Sequence, residues 1–163
     1  MILRICFLAI LLMGFNAKAQ NLSVMSYNIR LDIASDGDNA WHHRKDFLGS
    51  QILFFEPDIL GVQEALPNQV VDLKEALPAY KFIGLGREGA DRGEYSGIFY
   101  NAGKLEVEKE NTFWLSPTPQ TIGKGWDAAC ERICTYGLFT VKNAELKIWV
   151  FNTHLDHVGV VAR

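Results

Sequence analysis

The chain has 163 residues, with 16 basic and 19 acidic side chains and 48% hydrophobic and 12% aromatic residues. That is the make-up of one globular domain with a real core, and it excludes a disordered or low-complexity segment. The net charge of −3 argues against a broad basic surface for gripping nucleic acid nonspecifically, although a local basic site remains compatible with it.

Residues 1–19 read as a cleaved signal peptide. Arg4 supplies the positive start, Ile5 to Phe15 is almost wholly apolar, and Ala17-Lys18-Ala19 has the small-x-small form of a cleavage site. The apolar run falls short of the roughly 20 residues that span a bilayer as a stable helix, and no basic stop-transfer cluster follows it. An uncleaved anchor is the alternative. Cys6 lies inside the apolar run rather than just after it, which argues against a lipid-modified cysteine. Cleavage near Ala19 makes Gln20 the new N-terminus of an exported, periplasmic or secreted protein with no retained membrane span. Loss of Arg4 and Lys18 leaves 14 basic residues against 19 acidic ones, a net charge of about −5.

Along the remaining chain, residues 22–27 predict a strand ending at Asn28, and a polar, glycine-bearing loop follows over 32–39. From Trp41 the pattern turns helical, with Leu48, Ile52 and Phe55 spaced i, i+4 and i+7. Pro57 ends that helix. Residues 58–63 form a short, nearly continuous apolar run that predicts a buried strand finishing at Glu64. Pro67 opens a second helix through Leu77. Strands are predicted over 80–85, 95–100, 105–112, 136–141 and 146–153. In the last, Leu146, Ile148 and Val150 share one face and Trp149 and Phe151 the other, so both faces are expected to be covered. Helix–strand alternation followed by strand runs points to sheets faced by helices, an α/β or α+β layered domain.

Cys130 and Cys134 fall in an exported, oxidising setting. In an extended segment they are too far apart to bridge, whereas a turn would bring them within reach. A loop disulfide and two free thiols are both open. No second cysteine or histidine pair has zinc-ligand spacing. Trp114 and Trp126 are read as core or loop packing rather than as stacking platforms for bases or sugars. The glycines around Arg87 to Gly93 lack the strand–glycine–helix setting of a phosphate-binding loop.

Three apolar strands end abruptly in polar residues: Asn28, Glu64 and His154. Taken singly, Asn28 reads as a turn residue, Glu64 as a cap or ion-pair partner and His154 as a hydrogen-bonded rim histidine. Together they resemble reactive groups presented on the rigid ends of a sheet. A carboxylate directly after Leu60-Gly61-Val62-Gln63 is partly desolvated, and so must be protonated, paired or metal-bound.

The residues in order then resemble a known family. Ser26-Tyr27-Asn28-Ile29-Arg30, Gln63-Glu64, Gly93-Glu94-Tyr95-Ser96-Gly97-Ile98-Phe99-Tyr100, Gly125-Trp126-Asp127-Ala128 with Arg132-Ile133-Cys134-Thr135-Tyr136, and Asn152-Thr153-His154-Leu155-Asp156 match successive motifs of the endonuclease/exonuclease/phosphatase family. The similarity is strongest to a bacterial exported subgroup and covers essentially all of residues 20–163. It implies a four-layer deoxyribonuclease-like β-sandwich flanked by helices, of which this chain supplies the N-terminal part.

By the same resemblance, Glu64 is the magnesium-binding glutamate, with manganese as a substitute, and Asn28 lies near that metal and the scissile phosphate. His154 contacts the phosphate in an acid or electrostatic role. Glu94 is the carboxylate that orients this histidine, Arg132 is a phosphate-contacting arginine, and Asp156 receives no role. The types suit the task. A hard cation wants oxygen donors, and Asn28, Arg132 and His154 are donors for the charge that builds on phosphoryl oxygens. A neighbouring Glu94 is expected to raise the pKa of His154 and favour the imidazolium. For Glu94 a solvated loop residue, and for Arg132 a salt bridge, remain alternatives.

The family pattern continues with Gly-Asp-x-Asn and Ser-Asp-His motifs, and neither occurs in these 163 residues. The expectation is therefore a C-terminally truncated domain over 20–163, with turnover belonging to a longer parent. Position 131 also departs, carrying Glu131 where relatives usually have proline. The expected activity is magnesium-dependent hydrolysis of a phosphate ester. The acidic chain favours a phosphorylated small molecule or lipid head group over nucleic acid. An exported nuclease and an inactive, phospho-ligand-binding fragment are the alternatives. No protein partner is indicated.

Overall fold

The computed structural model describes residues 21–144 and 146–163. The signal-peptide reading of residues 1–19 lies outside them. Strand β1 spans Val24–Asn28, and a short 3-10 segment, Ala34–Asn39, leads into helix α1, Trp41–Phe55. Then come β2, Ile59–Ala65, helix α2, Pro67–Ala76, and β3, Tyr80–Ile83. Strands β4, Tyr95–Asn101, β5, Leu105–Trp114, β6, Ile133–Val141, and β7, Leu146–Thr153, complete the order. No helix among the described residues is long and apolar enough to cross a membrane.

The strands form two sheets: a mixed sheet in the order β1-β2-β4-β3 and an antiparallel sheet β5-β6-β7. In β2 successive side chains point to opposite faces, and both faces are apolar. Leu60 and Val62 face a core shared with Leu48 and Ile52 of α1 and with Val70 and Leu73 of α2. Ile59 faces a second core with Ile83, Ile98 and Tyr100 of the mixed sheet and with Leu105 and Phe139 of the antiparallel sheet. The described residues thus stack as helices, mixed sheet and antiparallel sheet. This is part of the helix-flanked sandwich expected from the motifs.

The ends of α1 follow local chemistry. Glu56 takes a left-handed conformation, φ 44°, its N–H returns to the Ile52 carbonyl, and Pro57 blocks continuation. The expected apolar triad is only two-thirds right. Leu48 and Ile52 are buried, but Phe55 is exposed and packs edge-to-face on Phe54, with ring centres 5.2 Å apart. Gly49 is buried in the helix, and a methyl there would sit 3.4 Å from the Ala76 methyl at the end of α2. Packing on α2 rolls the buried stripe toward Trp41, Leu48, Gly49 and Ile52.

Strand β7 corrects a second expectation. Ile148 and Val150 pack inward against the inter-sheet core, whereas Trp149 and Phe151 are 51% and 61% exposed. They form an aromatic row with Tyr136 and Phe113 across the outer face of the antiparallel sheet. Apolar character on both faces of a strand reports that both are fit for burial, not that each is covered within the same stretch of chain.

Candidate active site

Strand direction gathers the polar termini at one end. Parallel pairing of β1 with β2 sets Asn28 opposite Gln63, so Glu64 emerges beside Asn28. Antiparallel pairing sets Tyr95 opposite Ala65, which brings Glu94 to the same end. In the other sheet Cys134 lies opposite Thr153, so Arg132 and His154 leave β6 and β7 together.

Glu64 is placed by a β-bulge. The β2–β4 register runs Val62 to Gly97 and then Ala65 to Tyr95, so β2 carries one extra residue, and Glu64 adopts φ 61°. That left-handed conformation is rare for a non-glycine side chain and is kept where surrounding contacts enforce it. Its carboxylate is held on both oxygens. Asn28 Nδ2 donates to Oε1 at 2.8 Å and the Leu31 N–H donates to Oε2 at 3.2 Å. Asn28 Oδ1 in turn accepts the Arg30 N–H at 3.0 Å, with Arg30 at φ 58°.

The loop after β1 is pinned from below. Arg44 donates to the carbonyls of Ile29 and Arg30. Gln69, fully buried, accepts from the N–H groups of Asp32 and Leu66 and donates to the Arg30 carbonyl at 2.9 Å.

His154 Nε2 stands 4.0 Å from Glu64 Oε1, both side chains being half-buried. Burial, and then the Arg132 charge, lower the histidine's pKa. Glu64 and Glu94 push it up without prevailing, so the neutral ring is favoured. This corrects the expectation of an imidazolium held by Glu94: that carboxylate is paired with Arg87, Oε1 to Nη2 at 2.7 Å. Among the described residues, His154 Nδ1 and Arg87 Nε are buried without hydrogen-bond partners.

Arg132 is buried in an ion pair, Nε to Asp156 Oδ2 at 3.1 Å, with Nη2 3.0 Å from His157 Nδ1. The salt-bridge alternative therefore describes its contacts, although its charge still acts on His154. Asp156, which received no role from the motifs, is a loop organiser. Its carboxylate accepts the N–H groups of Val158, Gly159 and Ala129. These bonds, Gly159 first, hold it well below the usual carboxylate range.

Both Cys130 and Cys134 are free thiols, which settles that alternative. Cys130 Sγ accepts from Arg87 Nη1 at 3.5 Å, and burial pushes the Cys134 thiol up. Trp114 is packed, its indole N–H donating to the Arg87 carbonyl at 2.8 Å. Trp126, by contrast, is 61% exposed at φ 50°, because it sits at a turn that lifts it off the core. Besides Gln69, two buried amides were given no role by the sequence reading, Gln63 and Asn152. Their signal was a polar residue inside each of two apolar strands.

Glu64 and Asn28 together offer oxygen and amide donors, with no soft ligand. Among the described residues no group of three or more His, Cys, Asp or Glu is arranged to hold an ion by itself. The Glu64 carboxylate is an oxygen donor of the kind that hard divalent cations take.

The described residues thus form two stacked sheets that line up Asn28, Glu64 and His154 at one end. Over 86% of this chain and 53% of its own length, an endonuclease/exonuclease/phosphatase family protein from Bacteroides thetaiotaomicron superposes with a TM-score of 0.84 at 42% identity. A mannosyl-6-phosphatase from the same organism gives 0.85 at 41% identity, over 87% of this chain and 54% of that one. A curated relative, an uncharacterized protein of Acanthamoeba polyphaga mimivirus, is 33% identical over 124 residues, 71% of this chain and 46% of the relative. No protein-family profile matches. The chain belongs to the endonuclease/exonuclease/phosphatase family. It spans about half the length of the relatives it matches.

Proposed function

We propose that the protein is an exported hydrolase of phosphate esters that works with a divalent cation, magnesium or manganese, and that its substrate is a phosphorylated sugar. The observation that carries the reading is the convergence of Asn28, Glu64 and His154 at one end of the two sheets. Glu64 would hold the ion, and Asn28 and the Leu31 N–H fix the direction of its carboxylate. When bound, such an ion polarises a phosphoryl oxygen and stabilises the leaving oxygen.

The remaining roles belong to the chain itself. His154 is assigned to contact the phosphate through the ring edge that faces Glu64. Arg132, locked to Asp156, contributes positive potential from within rather than a mobile contact. Glu94, held by Arg87, balances that charge near the ring. The sugar-phosphate preference is supported by likeness to a mannosyl-6-phosphatase and by the acidic balance of the chain, which disfavours a long nucleic-acid backbone. Export rests on the apolar segment before Ala17-Lys18-Ala19.

The test is a substrate panel. Mannose 6-phosphate, p-nitrophenyl phosphate, bis-p-nitrophenyl phosphate and single-stranded DNA are offered to the purified protein with magnesium and with chelator. Phosphate release from the monoesters, abolished by chelator, is the expected result. Cleavage of DNA and the diester alone would transfer the assignment to a nuclease, and turnover indifferent to chelator would remove the metal.

A further inference from the structure

Glu64 belongs to one sheet and His154 to the other, so a working site needs something to fix the two sheets against each other at that end. We propose that Asn152, with Gln63 as its partner, is the positioning residue that sets the spacing of His154 against Glu64. The proposal deepens the phosphoesterase reading and rests on it for its kinetic consequences, though not for its structural ones.

The geometry is specific. Asn152 lies in β7 and is 7% exposed, yet every polar atom of its side chain is used on the opposite sheet. Nδ2 donates to the Val62 carbonyl at 2.9 Å and to the Gly97 carbonyl at 2.7 Å. Those two residues are the last regular β2–β4 partners before the bulge that turns Glu64 outward. Oδ1 accepts from Gln63 Nε2 at 2.6 Å, and that same nitrogen reaches Ser26 Oγ at 3.2 Å. One amide therefore ties β7 to β2 and β4, and through Gln63 to β1.

The position is also sterically reserved. A methyl on Gly61 would sit 2.9 Å from Asn152 Cγ and Oδ1, closer than carbon and oxygen tolerate. Gly61 thus makes the slot that the amide fills. From this slot the chain leads to both reacting groups. Glu64 follows Gln63 directly, and His154 follows Asn152 by two residues, the strand repeat that returns side chains to one face.

Aspartate cannot do the same work, although its shape matches. It would set an oxygen, and a negative charge, against two carbonyl oxygens in a buried place. Alanine removes the side-chain donor from both carbonyls and leaves the Gln63 amide only its longer contacts to Ser26 Oγ and the Gly61 carbonyl.

Two measurements on the full-length protein test the proposal. A structure of the Asn152→Asp protein reads the separation of His154 Nε2 from Glu64 Oε1. A change of about 1 Å or more from the present 4.0 Å is expected, and an unchanged separation overturns the proposal whatever the enzyme does. Kinetics on p-nitrophenyl phosphate then follow Asn152→Ala, Gly61→Ala and the double variant. Each single variant should lower kcat roughly 10- to 100-fold with KM within about threefold, as expected for a misplacement of about 1 Å.

In the double variant the new methyl at position 61 enters the space vacated at 152. It should recover part of the melting temperature lost in Asn152→Ala while kcat stays low. Recovery of kcat together with Tm would show that the amide only fills space, and would overturn the positioning role. A wild-type protein without phosphatase activity would remove the reading on which the kinetic arm rests, leaving the structural arm to decide.

Discussion

The two sheets are unequal. β2 of the mixed sheet is sandwiched between helices and a second sheet, and of its residues Ile59–Ala65 only Glu64 escapes burial. β7 of the antiparallel sheet has one residue, Asn152, buried along its whole length of Leu146–Thr153, and it turns Trp149 and Phe151 to the outside. The site takes its Asn28 and Glu64 from the well-packed sheet and its His154 from the half-covered one. Such a site is only as rigid as the join between them, and it is at that join that the buried amides of Gln63 and Asn152 meet.

The largest expected effect lies in the mixed sheet. Phe99, fully buried among helix and strand side chains, should cost about 3–5 kcal/mol on Phe99→Ala, read as a shift of the urea midpoint. A loss below about 1 kcal/mol would mean that this sheet is not the stable half. Next comes Asn28→Ala, which removes the amide that aims the Glu64 carboxylate. Apparent magnesium affinity should weaken roughly 10- to 100-fold, with melting temperature little changed, as measured by titrating the cation against initial rate.

A third prediction concerns acid. The folded-state pKa of Asp156 is depressed, so its contribution is complete above the unfolded carboxylate value of about 3.9. It is lost as pH falls through the lower folded value. Asp156→Asn should therefore destabilise the protein at neutral pH and flatten the acid limb of the stability–pH curve. An acid limb identical to wild type would contradict the assignment. The smallest effect is expected on the open face, where Phe151→Ala should cost about 1 kcal/mol or less. A cost as large as that of Phe99→Ala would show the two regions to be equally well covered.

Much of this was legible from the sequence. Strand ends at Asn28, Glu64 and His154 announce themselves as polar stops after apolar runs, and prolines mark the end of α1 and both limits of α2. What was missed depends on side-chain partners rather than on pattern. Glu94 lies near His154 in effect, but Arg87 from a neighbouring loop takes its hydrogen bond, and no local spacing encodes that competition. Burial of the histidine outweighs both carboxylates, a balance that periodicity cannot weigh. Gln63 and Asn152 were visible as polar residues in apolar strands, but their pairing across 89 positions of sequence emerges only when the sheets stack. Trp149 and Phe151 read as core because aromatic alternation reports suitability for burial, not what covers the face.

Glu64, aimed by Asn28 and facing His154, is proposed to anchor a cation for phosphate-ester hydrolysis. The most direct measurement is the initial rate of phosphate release from p-nitrophenyl phosphate as a function of magnesium concentration, for the wild-type protein and Glu64→Gln side by side. Saturable magnesium dependence is expected in the wild type, with a rate lower by roughly 100-fold or more in a folded Glu64→Gln protein. Equal rates and equal magnesium dependence in the two proteins would contradict that role of Glu64.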